Sequence, residues 1–296
     1  MRAAGALPRA SGLAPMRSFA KLPRKAHGRR RRALGQHFLI DPAVAERAVA
    51  LAELGRGATV LEIGPGRGAL TEVLLAAGHR VVAVEYDQEL AAQLVAGRPD
   101  ELTVIHADFL RLDLDRLPAQ PLPVVANLPY ATGTAIVARL LEHPARFPRI
   151  VVMLQREVAQ RLAAAPGSRA YGSLSVLTAL RARVSLLFDV PPEAFVPRPA
   201  VESSVVRLDV LPASPVAIDD PASFRRIVHF AFAQRRKTLR NALGAGLGDV
   251  GLAERALAGA GIDPMRRAET CSLEEFAELA RAVDRQVAAG TGSRRA

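Results

Sequence analysis

The sequence predicts an α/β protein: a Rossmann-like parallel sheet followed by a small α-helical domain. Three observations carry this. First, four short apolar runs between residues 59 and 127 alternate with helical or looped stretches, and they end near Gly64, Glu85, Asp108 and Asn127. That βα rhythm gives a parallel sheet with ligand groups along its carboxyl edge. Second, the first run opens into Gly64-Pro65-Gly66-Arg67-Gly68, a glycine-rich turn feeding a helix. Third, the pattern becomes wholly helical beyond residue 222. The 296 residues suffice for two domains with an ample core.

Composition excludes several classes. Half of the residues are hydrophobic, but no uninterrupted apolar run reaches bilayer-spanning length, so no membrane partner is expected. The single cysteine, Cys271, rules out an internal disulfide framework and fits a reducing cytosol. The six histidines show no metal-ligand spacing, so no metal is expected. The net charge of +11 belongs mostly to one segment. Residues 1–32 hold ten Arg/Lys and no acid, which leaves 30 basic against 29 acidic groups elsewhere. Any nucleic-acid surface on the body must therefore come from clustering.

Taken in order, residues 1–32 read as a disordered basic extension. It is an RNA-contacting arm, centred on Arg29–Arg32, or a transit peptide; Met16 is a candidate initiator. Asp41-Pro42 is a helix start, N-cap followed by proline, for a helix over Ala43 to Leu54. Thr59 to Ile63 is a buried strand, and the helix after the glycine turn runs to about Ala77. The next strand starts at Arg80 and ends in Glu85, 21 residues after Gly64, the spacing that grips ribose hydroxyls. Pro65 lacks an N–H that a pyrophosphate would use, so a donor without phosphates, such as S-adenosylmethionine, suits the turn at least as well as a dinucleotide.

The strand Leu102 to Ile105 ends near Asp108-Phe109. That pair is either an adenine-binding acid beside a ring or a solvated turn. The strand Val124 to Ala126 delivers Asn127-Leu128-Pro129-Tyr130. Asn offers an amide oxygen, Pro129 biases Leu128 toward an extended backbone that can aim its carbonyl outward, and Tyr130 offers a stacking ring. Together they suit a planar ring bearing an exocyclic amine; taken alone, the four residues equally suit a strand-to-turn junction.

Further strands are expected over Ile150 to Leu154, Val184–Val190 and Ser203–Leu208, with helices over Arg156–Ala165 and Tyr171 to Arg181. The proline-rich loop of residues 191–199 holds Phe195, which either serves the site or fills core. Residues 211–222 read as a linker, 223–286 as a helical RNA-binding domain, and 287–296 as a disordered tail. Phe224, Val228, Phe232, Leu239 and Leu243 fall on one helical arc, with Arg236, Lys237 and Arg240 opposite. Arg235 falls on the apolar arc and is expected to snorkel or to pair with an acid across the domain boundary.

The segments GQHFLID, VLEIGPGRGALT, VEYD, ADFL, NLPY, MLQREVAQRL, FVPRPAVESSVVRL and FAQRRKTLRNAL occur in an order that closely resembles the KsgA/RsmA ribosomal RNA adenine dimethyltransferases, from about Leu34 to Arg285. The resemblance implies a class I methyltransferase domain over 33–210, on a seven-stranded sheet, with S-adenosyl-L-methionine as donor. It implies that His37, Leu39, Gly64, Glu85, Asp108 and Asn127 line the donor site. Asn127, Leu128, Pro129, Tyr130 and Phe195 would form the catalytic group, with Tyr130 and Phe195 flanking the target base. Arg235, Arg236, Lys237 and Arg240 would bind RNA. The implied substrate is two adjacent adenosines in the last hairpin loop of 16S rRNA in the small ribosomal subunit. A cytoplasmic monomer is expected. His37 stands where many relatives carry Asn, and residues 131–135 depart from the usual continuation of NLPY. A large-subunit adenine methyltransferase, a nicotinamide-dependent dehydrogenase and a non-catalytic factor on the same scaffold are the rival readings.

Overall fold

The computed structural model describes residues 36–95 and 100–292, with side chains as far as 289. The expected basic arm of residues 1–32 lies outside the described residues.

The chain opens with β1 (Phe38–Leu39) and α1 (Pro42–Leu51). Asp41 caps α1, its carboxylate accepting from the N–H of Ala43 and Val44, and Pro42 takes the first helical position. There follow β2 (Thr59–Ile63), α2 (Ala69–Ala76), β3 (Arg80–Glu85), α3 (Gln88–Val95), β4 (Leu102–His106) and β5 (Val124–Asn127). Next come α4 (Gly133–Leu141), β6 (Arg149–Gln155), α5 (Arg156–Leu162), α6 (Ser173–Ala179), β7 (Ala182–Val190), β8 (Phe195–Val196) and β9 (Ser203–Val210).

Seven of these strands form one sheet in the order β4-β3-β2-β5-β6-β9-β7. Pairing is parallel from β4 to β6, while β9 runs antiparallel to both of its neighbours. The central parallel strands β2, β3, β5 and β6 bury both faces, as parallel strands flanked by helices do. Leu61, Val82, Val124 and Val152 enter the core on one side; Val60, Val81, Val125 and Val151 enter it on the other. Sequence order reverses between β2 and β5, so their carboxyl ends flank the crevice of the sheet. The strands β1 and β8 pair separately, Phe38 with Val196 and Leu39 with Phe195, and lie beside that crevice.

The second domain holds α7 (Pro221–Ala233), α8 (Leu239–Leu247), α9 (Val250–Gly259) and α10 (Leu273–Gly292). Its core gathers Phe224, Val228, Leu243, Leu257, Phe276 and Val283, and takes in Tyr171 and Val176 from the first domain. The Tyr171 hydroxyl donates to the Cys271 carbonyl at 2.9 Å.

Three expectations are corrected. The arc from Phe224 to Leu243 is two helices: Gln234 leaves helical geometry, and the first amides of α8, Leu239 and Arg240, donate to the carbonyls of Arg266 and Pro264. Helix α7 starts at Pro221, inside the expected linker, because Asp220 caps it through the N–H of Ala222 and Ser223. Helix α10 continues to Gly292, into the expected tail. The Arg-Ala-Val-Asp-Arg-Gln-Val-Ala run has ordinary helix propensity and no breaker before Gly290.

Candidate active site

A cavity of about 420 Å³ lies over the carboxyl ends of β2 to β5. His37, Leu39, Gly64, Glu85, Asp108, Asn127, Leu128, Pro129 and Tyr130 all line it. Sequence-distant residues thus converge because each sits at or just beyond a strand end.

One wall is the glycine turn with Glu85. Gly66 has φ +59°, and a Cβ there would sit 2.9 Å from Phe38 Cδ1, so only glycine fits. The Gly66 N–H donates to Glu85 Oε2 at 3.0 Å, and the Asp87 N–H donates to Oε1 at 2.8 Å. Burial pushes the Glu85 carboxyl above its ordinary range, and these two amides oppose that. A carboxylate has about four acceptor positions, so capacity remains for two vicinal hydroxyls.

The same hydrogen bonds separate two classes of ligand. The Gly64 N–H is taken by the Val84 carbonyl, the Gly66 N–H by Glu85, and the Gly68 N–H by the Pro65 carbonyl. Pro65 has none. These positions therefore offer no cluster of free amides for a pyrophosphate, whereas a nucleoside-bearing donor without phosphates needs none.

Glu62, inside β2, lines the cavity and was not singled out from the sequence. Its oxygen accepts from the Thr71 hydroxyl at 2.6 Å. Burial, reinforced by the charge of Glu85, pushes its carboxyl up to about 8. The sequence did hold a signal, a lone acid within an otherwise apolar strand. Tyr86, an exposed ring on the rim, was likewise missed.

Asp108 Oδ1 accepts from the Leu110 N–H at 2.9 Å, and Oδ2 lies 3.9 Å from Arg111. Its neighbour Phe109 is buried beside the same cavity.

The opposite wall is the segment after β5. Asn127 Nδ2 donates to the His37 backbone carbonyl at 3.0 Å. The Leu128 N–H donates to the Met153 carbonyl, and no described residue donates to the Leu128 carbonyl. The Pro129 carbonyl accepts from Thr132 and Gly133, which starts α4 immediately. The Tyr130 hydroxyl shares a 2.5 Å hydrogen bond with Ser203 Oγ, and its ring lies 5.0 Å from the His37 ring, tilted by 34°. Burial pushes the Tyr130 hydroxyl upward, so it stays neutral near pH 7. The His37 ring itself donates from Nδ1 to the Pro197 carbonyl at 2.7 Å, so it is the backbone of His37, not its imidazole, that holds Asn127.

Not every expected site residue gathers here. Phe195 is 2% exposed, pairs with Leu39 and belongs to the core behind the cavity wall. Arg235, Arg236 and Lys237 occupy the turn between α7 and α8, not a helix face. Arg235 donates to the carbonyls of Arg169 and Tyr171 and lies 4.0 Å from Glu269, so it bridges the two domains. Arg240 is paired with Glu254. Arg236 and Lys237 are exposed, and their side chains have no partner among the described residues. Among the described residues no His, Cys, Asp and Glu cluster is arranged for a metal ion, and no helix is long and apolar enough to cross a membrane.

Comparison with known proteins adds four findings. The family model described as ribosomal RNA adenine dimethylase matches residues 28–285. The ribosomal RNA small subunit methyltransferase A of Syntrophotalea carbinolica is 48% identical over 257 residues, covering 86% of this chain and 97% of that one. Among solved structures, a dimethyladenosine transferase from Plasmodium falciparum superposes with a TM-score of 0.72 at 22% identity, over 85% of this chain and 98% of that chain, which bears on the fold alone. The 23S rRNA methyltransferase ErmE superposes with a TM-score of 0.61 at 27% identity, over 83% and 99%.

Proposed function

The chain belongs to the ribosomal RNA adenine dimethylase family, and on that premise we propose that it transfers methyl groups from S-adenosylmethionine to the exocyclic N6 of two adjacent adenosines. These lie in the 3′-terminal hairpin loop of 16S rRNA, within a precursor of the small ribosomal subunit, and each is methylated twice.

The observation that carries this reading is the bond from Asn127 Nδ2 to the His37 carbonyl. It uses one of the two amide N–H groups, turns the nitrogen toward His37, and leaves Oδ1 as an acceptor beside the unengaged Leu128 carbonyl. An adenine amine is a poor nucleophile because its lone pair is delocalised into the ring. Accepting its two hydrogens on Asn127 Oδ1 and the Leu128 carbonyl localises that lone pair. The donor, when bound, supplies an electrophilic methyl group. Glu85 holds its ribose hydroxyls, Asp108 its adenine amine, and the Gly64 turn leaves room for its backbone. No strong base is required, since the alkylated nitrogen becomes acidic and sheds its proton afterwards. The neutral Tyr130 hydroxyl is consistent with that.

Extruding the target base costs a few kcal/mol. Stacking on Tyr130 contributes about 1–3 kcal/mol toward offsetting it. Arg236 and Lys237, exposed and unpaired among the described residues, take phosphates of the same RNA. The higher identity to a small-subunit enzyme than to the large-subunit one favours the small subunit as target. The amides spent within the glycine turn argue against a dinucleotide and hence against the dehydrogenase reading.

The test is labelled methyl transfer to undermethylated small subunits, followed by mapping. Label on two adjacent adenosines of the small-subunit RNA is expected. Label confined to the large subunit, or no transfer at all, overturns the proposal.

A further inference from the structure

Arg139 lies on α4, the helix that begins just beyond Asn127-Leu128-Pro129-Tyr130. Its guanidinium is partly buried. It reaches back to the loop after β4, where Nη1 donates to the Leu110 carbonyl and Nη2 to the Leu112 carbonyl. The same group lies 5.6 Å from the centre of the Phe109 ring. Leu110 is therefore held at both ends: Arg139 grips its carbonyl, and its N–H grips Asp108 Oδ1 at 2.9 Å. A planar fork reaching two carbonyls at once is a task that arginine performs and a point charge does not. The loop so held carries Asp108, Phe109 and Leu110 into the cavity wall.

We propose that Arg139 is a positioning residue for base recognition in the donor: through Leu110 it fixes the Asp108 carboxylate, and through Phe109 the adjoining ring, so that the site selects an adenine amine. The proposal rests on the reading that Asp108 receives the donor's adenine amine. It further makes α4 a strut between that subsite and the Asn127 segment. A site built to hydrogen-bond an amine rejects the analogue that presents an oxygen there.

The test compares the binding of S-adenosylhomocysteine and S-inosylhomocysteine, which differ at that exocyclic group and in the proton that the inosine base carries on the adjoining N1, by calorimetry on the full chain. Wild type should prefer the adenosyl compound by about 10- to 100-fold, the value of one hydrogen bond to a charged group. Arg139→Gln should compress that preference to about 3-fold or less, because the carboxylate is no longer aimed. Arg146→Gln is the control. Arg146 donates to the carbonyls of Leu114, Leu117 and Pro118, farther along the same loop. It should lower the melting temperature while leaving the preference at the wild-type value. Should the Arg139→Gln variant not fold, Arg139→Lys, which cannot span both carbonyls, answers the same question. A wild-type preference in the Arg139 variants overturns the proposal. Absence of any preference in the wild-type protein instead overturns the Asp108 reading on which it stands.

Discussion

The side-chain amide of Asn127 donates to the backbone carbonyl of His37 at 3.0 Å. A carbonyl only accepts, so this contact identifies which end of the amide is nitrogen and leaves the oxygen for a ligand. The His37 carbonyl is in turn steady. The residue precedes β1, which pairs with β8, and its ring is tied to Pro197.

That relationship makes Asn127→Asp a pH-dependent variant. An ionised Asp places a carboxylate oxygen against the His37 carbonyl, acceptor against acceptor. Only the protonated acid reproduces the donor toward His37 and the acceptor toward substrate. Transfer by Asn127→Asp should rise as pH falls from 8 toward 6, relative to wild type under the same conditions. A constant ratio across that range contradicts the assignment of the two amide atoms.

Glu62 makes stability depend on pH. Its carboxyl titrates at about 8 in the folded chain against an ordinary 4.5, chiefly because it is buried. Below pH 4.5 it is protonated whether folded or not. Between 4.5 and 8 the unfolded chain gives up the proton and the folded chain keeps it, so the folded state loses relative stability as pH rises. The swing is at most about 5 kcal/mol. Glu62→Gln still offers Thr71 an acceptor and removes the titration. Its melting temperature relative to wild type should grow by at least about 2 °C between pH 5 and pH 8. A pH-independent difference would refute it.

Arg236 and Lys237 are the exposed cations of the turn between α7 and α8 that have no partner among the described residues, whereas Arg240 is engaged by Glu254. Replacing both Arg236 and Lys237 with Gln should weaken binding to the small subunit and reduce the logarithmic salt slope by about 1.5 units. Donor affinity should be unchanged. Arg240→Gln should move the slope less. Binding isotherms from 50 to 200 mM salt check this, and an unchanged slope in the double variant means the turn is merely solvated.

The strand ends were legible because each depends on local pattern. A short apolar run predicts β2, β3 and β5, and the residue after it lands at the sheet's carboxyl edge wherever the chain goes next. The break between α7 and α8 was not legible. It is made by the carbonyls of Pro264 and Arg266, which capture the first amides of α8 from far along the chain. Arg235 followed the same logic: its apolar-arc position foretold a partner, but the partners are backbone carbonyls of the first domain as well as Glu269. Asp220-Pro221 repeats the Asp41-Pro42 helix start, a signal obscured by the surrounding prolines. Phe195 alternates into the core because β8 pairs with β1, a contact between segments more than 150 residues apart.

Asn127 is proposed to act on the transition state. Single-turnover methyl transfer by Asn127→Ala, with saturating donor and small subunits, tests it most directly. Losing one preorganised polar contact costs about 10²–10³ in rate, roughly 2.7–4 kcal/mol. The rate should fall at least that far, with RNA affinity nearly unchanged and donor affinity only modestly reduced, since Gly64, Glu85 and Asp108 remain. A near wild-type transfer rate accompanied by a collapse of donor affinity would contradict that role and make Asn127 a donor ligand instead.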